Sequence, residues 1–293
     1  MTETTGKSSI LDLVNKTLEL PTLPEVIMKL NAVAADPDSS AEDVAQVIST
    51  DPSVATNILR IVNSAYYGLQ VRVSSVPLAV SIMGFAMTKK VALKAAVFTM
   101  FAGKRKKQAE SSPHFDPTQF WRHSIFAGIA ARTLGAESSV FDGSNGEDLY
   151  ICGLLHDIGK IILLDNSPDL CARVHEQVAA TGQAEVDVET ELLGFNHADI
   201  GSVLAIKWFL PEDLTIAIRY HHTPAKDPFH KSLSSLIHLA DHVAWNAGNP
   251  SGSAPQRPEL DMAVYDDVGL VPDKLEELLP QIQEAFSGTE MPW

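Results

Sequence analysis

The sequence predicts an all-α protein. Apolar residues recur at helical spacing through most of the 293 residues, and capping signals stand before several of these stretches. No segment alternates apolar and polar residues as a half-buried strand does, and no repeat of about 20 to 50 residues is found. With 45% hydrophobic residues, the chain can bury a sizeable core.

Six helices are predicted in the first hundred residues, from apolar stripes and from capping residues. Ser40 with Asp43 indicates an N-cap followed by an acid three positions later, and Asp51-Pro52 indicates the start of the next helix. The remaining four are expected over Ile10–Leu18, from Leu23-Pro24-Glu25 onward, over Ser75–Met83 and, apolar on most sides and therefore buried, over Met87–Phe101.

The charged stretch 103–115 contains Ser and Pro and indicates a boundary between two helical halves. A helix is expected from Asp116-Pro117 to about Leu134, then a loop at 142–146 and an apolar central helix. Later helices are expected near 168–180, 186–193, 197–209, 212–221 and 232–247, then a loop at 248–258 and an amphipathic helix over Pro272–Phe286. The expected organisation is a tail and first helix at 1–19, an N-terminal helical half at 20–102, a second half at 116–247 and a C-terminal helical extension at 259–293.

Charge and cysteine usage restrict the partners. A net charge of −15 and a pI near 5.0 disfavour nucleic acid and anionic membranes. The basic run Lys104-Arg105-Lys106-Lys107 is interpreted as a solvated helix end rather than a phosphate-binding patch. Cys152 and Cys171 lie in apolar helical settings, as expected for buried thiols in a reducing compartment. With no apolar run of 18 residues and no N-terminal leader pattern, a cytoplasmic location is expected.

Polar residues interrupt an apolar stretch at His156, Asp157 and Lys160. We expect one helix to carry all three into the interior, where a charge costs several kcal/mol unless it is paired or binds a metal. His156 and Asp157 would lie about 100° apart, with Lys160 one turn beyond Asp157. One cation could then bind both neighbours while the lysine reaches over it. The alternative is an Asp157–Lys160 pair in a polar network without metal.

Other imidazoles and carboxylates lie in helical, apolar contexts: His123, His197, His221, His222 and Asp241. A single histidine on such a face is usually a core residue, but a group of nitrogen and oxygen donors suits Fe, Mn, Zn, Ni or Co. A set large enough for two cations is what two-metal hydrolysis requires. His238 and His242 flank Asp241 and are expected to have structural roles. His114, His175 and His230 are expected at the surface.

The order of these residues resembles the HD superfamily of metal-dependent phosphohydrolases, especially its HD-GYP branch. A narrower resemblance, to the HDOD family, rests on the N-terminal half. It is carried by Leu20-Pro21-Thr22-Leu23-Pro24, Asp51-Pro52-Ser53-Val54, Leu59-Arg60-Ile61-Val62-Asn63-Ser64-Ala65-Tyr66-Tyr67-Gly68 and Ser81-Ile82-Met83-Gly84. Together the two resemblances cover roughly residues 20–245.

This resemblance implies an HD-type helical bundle from bacterial signal transduction, with two divalent transition-metal ions, Fe or Mn first and Zn, Ni or Co as alternatives. Asp157 would bridge the ions, with His123, His156 and Asp241 nearer one, and His197, His221 and His222 nearer the other. Lys160 and Asp157 would be the catalytic residues of an active member. Two departures are Gln119, where some HD-GYP proteins have a glutamate, and Thr223-Pro224 after His222 in place of Gly-Tyr-Pro.

Two functions are compatible with these residues. The first is a regulatory HDOD module that binds a protein partner in a signalling pathway, with the metal site as a structural or ligand-sensing centre. The alternative is an active phosphohydrolase or phosphodiesterase on a nucleotide or cyclic nucleotide. In either case a phosphate-containing small molecule is the expected ligand type.

Overall fold

The computed structural model describes residues 10–63, 69–102, 104, 108–110, 112, 114–142, 146–251 and 259–289. These residues form fifteen α-helices, two short 3₁₀ helices and no strand, which confirms the all-α prediction. The predictions for Met1–Ser8, Tyr66-Tyr67-Gly68 and the basic residues 105–107 lie outside the described residues. The helices are α1 Ile10–Thr17, α2 Glu25–Ala35, α3 Ala41–Ser49, α4 Pro52–Val62, α5 Val76–Ala102, α6 Pro117–Glu137, α7 Gly146–Leu155, α8 Ile158–Asn166, α9 Pro168–Thr181, α10 Glu185–Leu193, α11 His197–Lys207, α12 Glu212–Tyr220, α13 Lys231–Asn246, α14 Val264–Val268 and α15 Pro272–Ser287.

The described residues divide into two compact units. The larger unit contains the residues up to Pro21 and those from Gln108 to Thr289, and the smaller unit is Thr22–Lys104. The larger unit holds α1 and α6–α15, and the smaller unit holds α2–α5. Each unit has its own buried apolar residues.

The smaller unit shows the caps that its sequence indicates. The Ser40 hydroxyl accepts from the Asp43 N–H, and the Asp43 carboxylate accepts from the Ser40 N–H, which is a complete capping box at the start of α3. The Asp51 carboxylate accepts from the N–H groups of Ser53 and Val54 at the start of α4. α2, α3 and α4 all pack against α5.

Helix α5 is interrupted at Gly84, where φ is 74° and ψ is 163°. The break lies between the two helices predicted over Ser75–Met83 and Met87–Phe101. By length and composition alone, Val76–Phe101 could cross a membrane. A core helix satisfies the same criteria, and α5 packs on three neighbouring helices of its unit. It is therefore part of the core of the smaller unit.

The larger unit is built around α6. This helix packs against α7, α13 and α15, while α8 packs on α11 and α11 packs on α12. Most residues of α6, α7 and α8 are buried. Polar side chains on these helices therefore have to be satisfied inside the unit.

The expectation of one continuous helix through His156, Asp157 and Lys160 is wrong. α7 ends at Leu155 and α8 begins at Ile158, with Asp157 at φ −98° and ψ 8°. Apolar residues on both sides keep the helical spacing, so the pattern does not show the break. Residues in this backbone region are frequent at functional sites.

The backbone at Gly84 provides a test of the break in α5. This region of φ and ψ is essentially restricted to glycine, and an added Cβ would meet nothing within 4 Å. We expect Gly84→Ala to lower the free energy of unfolding by about 1–3 kcal/mol through backbone strain alone, measured by urea denaturation. The matched control is Gly288→Ala at φ −79°, which should be neutral or slightly stabilising. Equal stability of Gly84→Ala and wild type would contradict this account.

Candidate functional site

The turn between α7 and α8 is the centre of the site. His156, Asp157 and Lys160 expose 0%, 1% and 6% of their surface. The Nδ1–H of His156 donates to the Gly153 carbonyl at 2.6 Å, which orients the ring at the end of α7. Three polar side chains are thus enclosed in an apolar region.

Gly159 allows α8 to approach α11 closely. A Cβ at this position would lie 1.9 Å from the carbonyl oxygen of His197. On the facing helix, a Cβ on Gly201 would lie 2.9 Å from Ile218 and 3.4 Å from Ile158. Only a residue without a side chain permits this approach, which places the start of α11 beside Asp157.

The structure brings together all seven residues that the sequence analysis selected as metal ligands. His123 lies in the middle of α6, His197 begins α11, His221 and His222 follow α12, and Asp241 lies in α13. Their side chains form two groups, within each of which the candidate ligand atoms lie within 4.8 Å of one another. We call these the His123 group (His123, His156 and Asp241) and the His197 group (Asp157, His197, His221 and His222).

In the His123 group, the two imidazoles face one carboxylate. His123 Nε2 lies 3.3 Å from His156 Nε2 and 3.1 Å from Asp241 Oδ1. His156 Nε2 lies 3.8 Å from the same oxygen. Ligands about 2 Å from one cation lie roughly 3–4 Å from each other, so these spacings suit a single ion.

The His197 group is arranged around the other carboxylate. Asp157 Oδ1 lies 3.1 Å from His197 Nε2 and 3.6 Å from His221 Nε2. The Nε2 atoms of His197 and His222 are 2.9 Å apart. Asp157 Oδ2 faces the first group, at 3.5 Å from His156 Nε2. One carboxylate therefore faces both groups.

Hydrogen bonds at Nδ1 direct the Nε2 atoms inward. His123 donates from Nδ1 to the Asn249 carbonyl at 2.7 Å, and His221 donates to the Ile218 carbonyl at 2.6 Å. His197 instead donates to a carboxylate, that of Glu189, at 2.7 Å. A carbonyl or carboxylate partner at Nδ1 is the usual support of a metal-binding histidine.

Three buried atoms at the centre have no hydrogen-bond partner among the described residues: Asp157 Oδ1, Asp241 Oδ1 and His221 Nε2. A buried polar atom without a partner costs about 1–3 kcal/mol. All three are potential metal ligands, and each belongs to one of the two groups. The residues therefore fit divalent cations of the kind that bind imidazole and carboxylate.

Electrostatics support charged carboxylates and two neutral rings. Burial raises the pKa of Asp157, but the Lys160 ammonium and His156 outweigh it and hold that pKa well below its usual range. Burial also raises the pKa of Asp241, but the adjacent His123 and His156 rings outweigh it and lower that pKa as well. Burial lowers the pKa of His221 to about 4, and burial beside His221 lowers that of His222. The charged carboxylates and these two neutral rings have the protonation states of metal ligands.

Burial lowers the pKa of His197 and of His156, but the Glu189 carboxylate outweighs it and raises that of His197 to about 10, and Asp157 raises that of His156. These two rings would release a proton when a cation binds.

The Lys160 ammonium is fully engaged within the chain. Its Nζ lies 2.9 Å from Asp157 Oδ2 and 2.9 Å from Glu185 Oε2. It also donates to the Ser251 hydroxyl at 3.0 Å, and that hydroxyl in turn donates to Asp157 Oδ2. An ammonium has three protons, so these acceptors use all of them.

Sequence reasoning missed four contributors to the site: Glu185, Glu189, Asn249 and Ser251. The two glutamates are one turn apart on α10, a spacing that places them on one face of the helix, and this was the available signal. Asn249 contributes a main-chain carbonyl and Ser251 a hydroxyl, from a stretch predicted only as a loop. No spacing pattern identifies such contacts.

The remaining histidines lie outside the two groups. His238 donates from Nδ1 to the His221 carbonyl at 2.7 Å and accepts from the Asp261 N–H, which agrees with the structural role expected for it. His114 and His175 stack on each other with ring centroids 4.5 Å apart. Neither belongs to the His123 or the His197 group.

An all-α fold with a buried His-Asp pair surrounded by histidines defines an HD-type domain. The chain belongs to the HDOD domain family, because the family's model matches residues 20–224, and the predicted family is confirmed. Six of the seven candidate ligands lie within this match, and Asp241 lies beyond it.

Solved structures share the fold. An HDOD domain protein of unknown function from Geobacter sulfurreducens matches with a TM-score of 0.72 at 21% identity, over 95% of this chain and 97% of that one. A candidate signal transduction protein from Marinobacter aquaeolei VT8 matches with a TM-score of 0.70 at 24% identity, over 98% of this chain and 61% of that one. At these identities the likeness concerns the fold.

A sequence relative is an uncharacterized protein of Treponema pallidum (strain Nichols). It is 28% identical over 235 residues, which is 80% of this chain and 43% of the relative. The chain thus spans less than half the length of that relative.

The Lys160 contacts predict a large structural effect. Lys160→Met would leave the buried Asp157 carboxylate and the partly buried Glu185 carboxylate without their ammonium, and breaking a buried ion pair costs about 3–5 kcal/mol. Urea denaturation in the presence of EDTA would measure the loss of unfolding free energy. The control is Lys274→Met, whose pairs with Glu137 and Glu277 are partly exposed and should be worth about 0–1 kcal/mol. Similar losses in both variants would contradict the role given to Lys160.

Proposed function

We propose that this protein is a regulatory HDOD module of a signalling pathway, which retains a site for two divalent cations as a structural or ligand-sensing centre and acts by binding a protein partner. The observation that supports this proposal best is the closure of the site around Lys160. The lysine is buried and its three protons are used by the chain. The cavity that it lines with Glu185 and Glu189, which none of the seven donors lines, has a volume of about 10 Å³. That volume holds about one water molecule.

The donor set supports the metal part of the proposal. Imidazole nitrogens with carboxylate oxygens suit Fe or Mn, with Zn, Ni or Co as alternatives. The His123 group would hold one cation and the His197 group the other. Asp157 would be shared, because its two oxygens face different groups. Bound cations would supply charge neutralisation for the buried carboxylates and, if a ligand reaches them, a binding site for phosphate oxygens.

The same closure argues against turnover in this conformation. To bind in the site, a phosphate ester would need an N–H of Lys160 that is free to donate a hydrogen bond, or a solvent-exposed path to the candidate metal ligands. Six of the seven donors are buried, and His222 alone among them is partly exposed. An entering phosphate would therefore have to displace the Ser251 hydroxyl or the Glu185 carboxylate from the lysine.

Hydrolysis of a nucleotide or cyclic nucleotide is the second candidate. It is favoured by the two donor groups around one shared carboxylate, the arrangement that two-metal hydrolysis uses. In that case Asp157 would bridge the cations, and Lys160 would neutralise a substrate phosphate oxygen or orient a bridging hydroxide. The absence of a Gly-Tyr-Pro segment after His222 leaves the substrate class open.

Metal content tests the first part of the proposal. Protein purified after expression with Mn²⁺ should contain about two metal ions per chain, because each donor group fits one ion. His123→Ala should lose the ion of the His123 group and keep about one, and Asp157→Asn should reduce both sites. Elemental analysis after dialysis measures each value. His114→Ala, which alters an exposed histidine, is the control and should retain two. Metal-free wild-type protein that takes up no Mn²⁺, Fe²⁺ or Zn²⁺ would refute the metal site.

Turnover separates the two candidate functions. With Mn²⁺ or Fe²⁺ added, we expect no metal-dependent hydrolysis of bis(p-nitrophenyl) phosphate or cyclic dinucleotides, because Lys160 has no proton free for a phosphate. Absorbance and chromatography would follow the products. Turnover that requires added metal and disappears in Asp157→Asn would establish the hydrolase instead. The Asp157→Asn variant is the control against a contaminating phosphodiesterase.

A further inference from the structure

Helix α10 carries a buried carboxylate, Glu189, whose basic partner among the described residues is the imidazole of His197 rather than a lysine or an arginine. Glu189 exposes 2% of its surface, whereas Glu191 on the same helix is exposed and contacts the side chains of Gln177 and Gln183. Burying a carboxylate costs several kcal/mol unless strong donors satisfy it. The donors of Glu189 are the main-chain N–H and the Nδ1–H of His197, at 2.8 Å and 2.7 Å from the same oxygen.

This support differs from that of the other rings. His123, His156 and His221 each donate from Nδ1 to a main-chain carbonyl, which the helices and turns hold in place. The ring of His197 is held at Nδ1 by a side chain. A carboxylate in this position fixes the ring orientation and increases the basicity of Nε2.

The backbone of His197 has contacts other than the one with Glu189. The carbonyl oxygen of His197 lies against Gly159 where α8 crosses α11, and the Asn196–Asp199 capping box fixes the first turn of α11. Besides its contact with the His197 main-chain N–H, Glu189 restricts rotation about the side-chain bonds of His197. The consequence of this contact therefore concerns Nε2, which lies 3.1 Å from Asp157 Oδ1.

We propose that Glu189 is the positioning residue of one of the two cation sites: by holding Nδ1 of His197, it directs Nε2 into the His197 group and so determines cation binding there, while the His123 group is independent of it. The inference rests on the proposed metal site. None of the seven candidate ligands lies on α10, and the inference gives this helix a role in the site.

Titration of metal-free protein with Mn²⁺ alone tests this assignment. Wild type should bind two ions, and two ions sharing the Asp157 carboxylate should give an exchange-coupled electron paramagnetic resonance signal. Glu189→Ala should bind one ion with wild-type affinity and give an uncoupled signal. Glu189→Gln keeps the size and an acceptor oxygen but not the charge, and should weaken only the second ion, by about 10–100-fold.

The matched control is Glu191→Ala, which removes a carboxylate from the same helix outside the site and should behave as wild type. Circular dichroism would establish that each variant is folded. If Glu189→Ala does not fold, Glu189→Gln decides the question. Two equal, wild-type affinities in the folded Glu189 variant would overturn the inference, as would loss of both ions together, since that indicates general damage.

Failure of the inference and failure of the proposed function give different results. Wild type that binds no Mn²⁺ refutes the metal site itself. Wild type with two coupled ions, together with a Glu189→Gln variant that titrates identically, leaves the metal site intact and refutes the role of Glu189.

Discussion

The structure depends on how one buried carboxylate is neutralised. Asp157 lies at the turn between α7 and α8, where an uncompensated charge would cost several kcal/mol. One of its oxygens is held by Lys160 and Ser251, and the other faces the imidazoles of His197 and His221. The elements that supply these groups are far apart in the sequence. Satisfying Asp157 therefore requires the larger unit to be folded.

Close packing of helices makes this arrangement possible. Gly159 lets α8 lie against the first turn of α11, which places His197 within reach of Asp157. On the other side, α6 packs on α7 and α13, which brings His123 near His156 and Asp241. The apolar core thus positions the donors. The buried polar side chains lower the stability of the fold unless each of them has a hydrogen-bond or charge partner. Cations would supply partners for the three atoms at the centre that have no hydrogen-bond partner among the described residues.

The HDOD assignment and the geometry bear on function in different ways. Family membership supports a regulatory domain, while the two donor groups have the composition that a two-metal hydrolytic site would need. The engagement of Lys160 by three acceptors distinguishes these possibilities physically. A side chain whose protons are all bound inside the protein is available to a ligand only after a local rearrangement, which suits a sensing site better than a site of rapid turnover.

The sequence by itself determined that the fold is all-α, where most helices lie, and which seven histidine and aspartate residues are candidate metal ligands. Apolar spacing, caps and breakers are local properties: Asp51-Pro52, Ser40 with Asp43 and the break at Gly84 can each be recognised within a few residues. Tertiary structure decided which donors meet, and that His156 and Asp157 occupy a turn rather than a helix. It also decided the contributions of Glu189, Asn249 and Ser251. The spacing of Glu185 and Glu189 places both on one face of α10 but does not identify their partners, and a main-chain carbonyl or a hydroxyl has no periodic pattern. Their roles arise only from long-range packing.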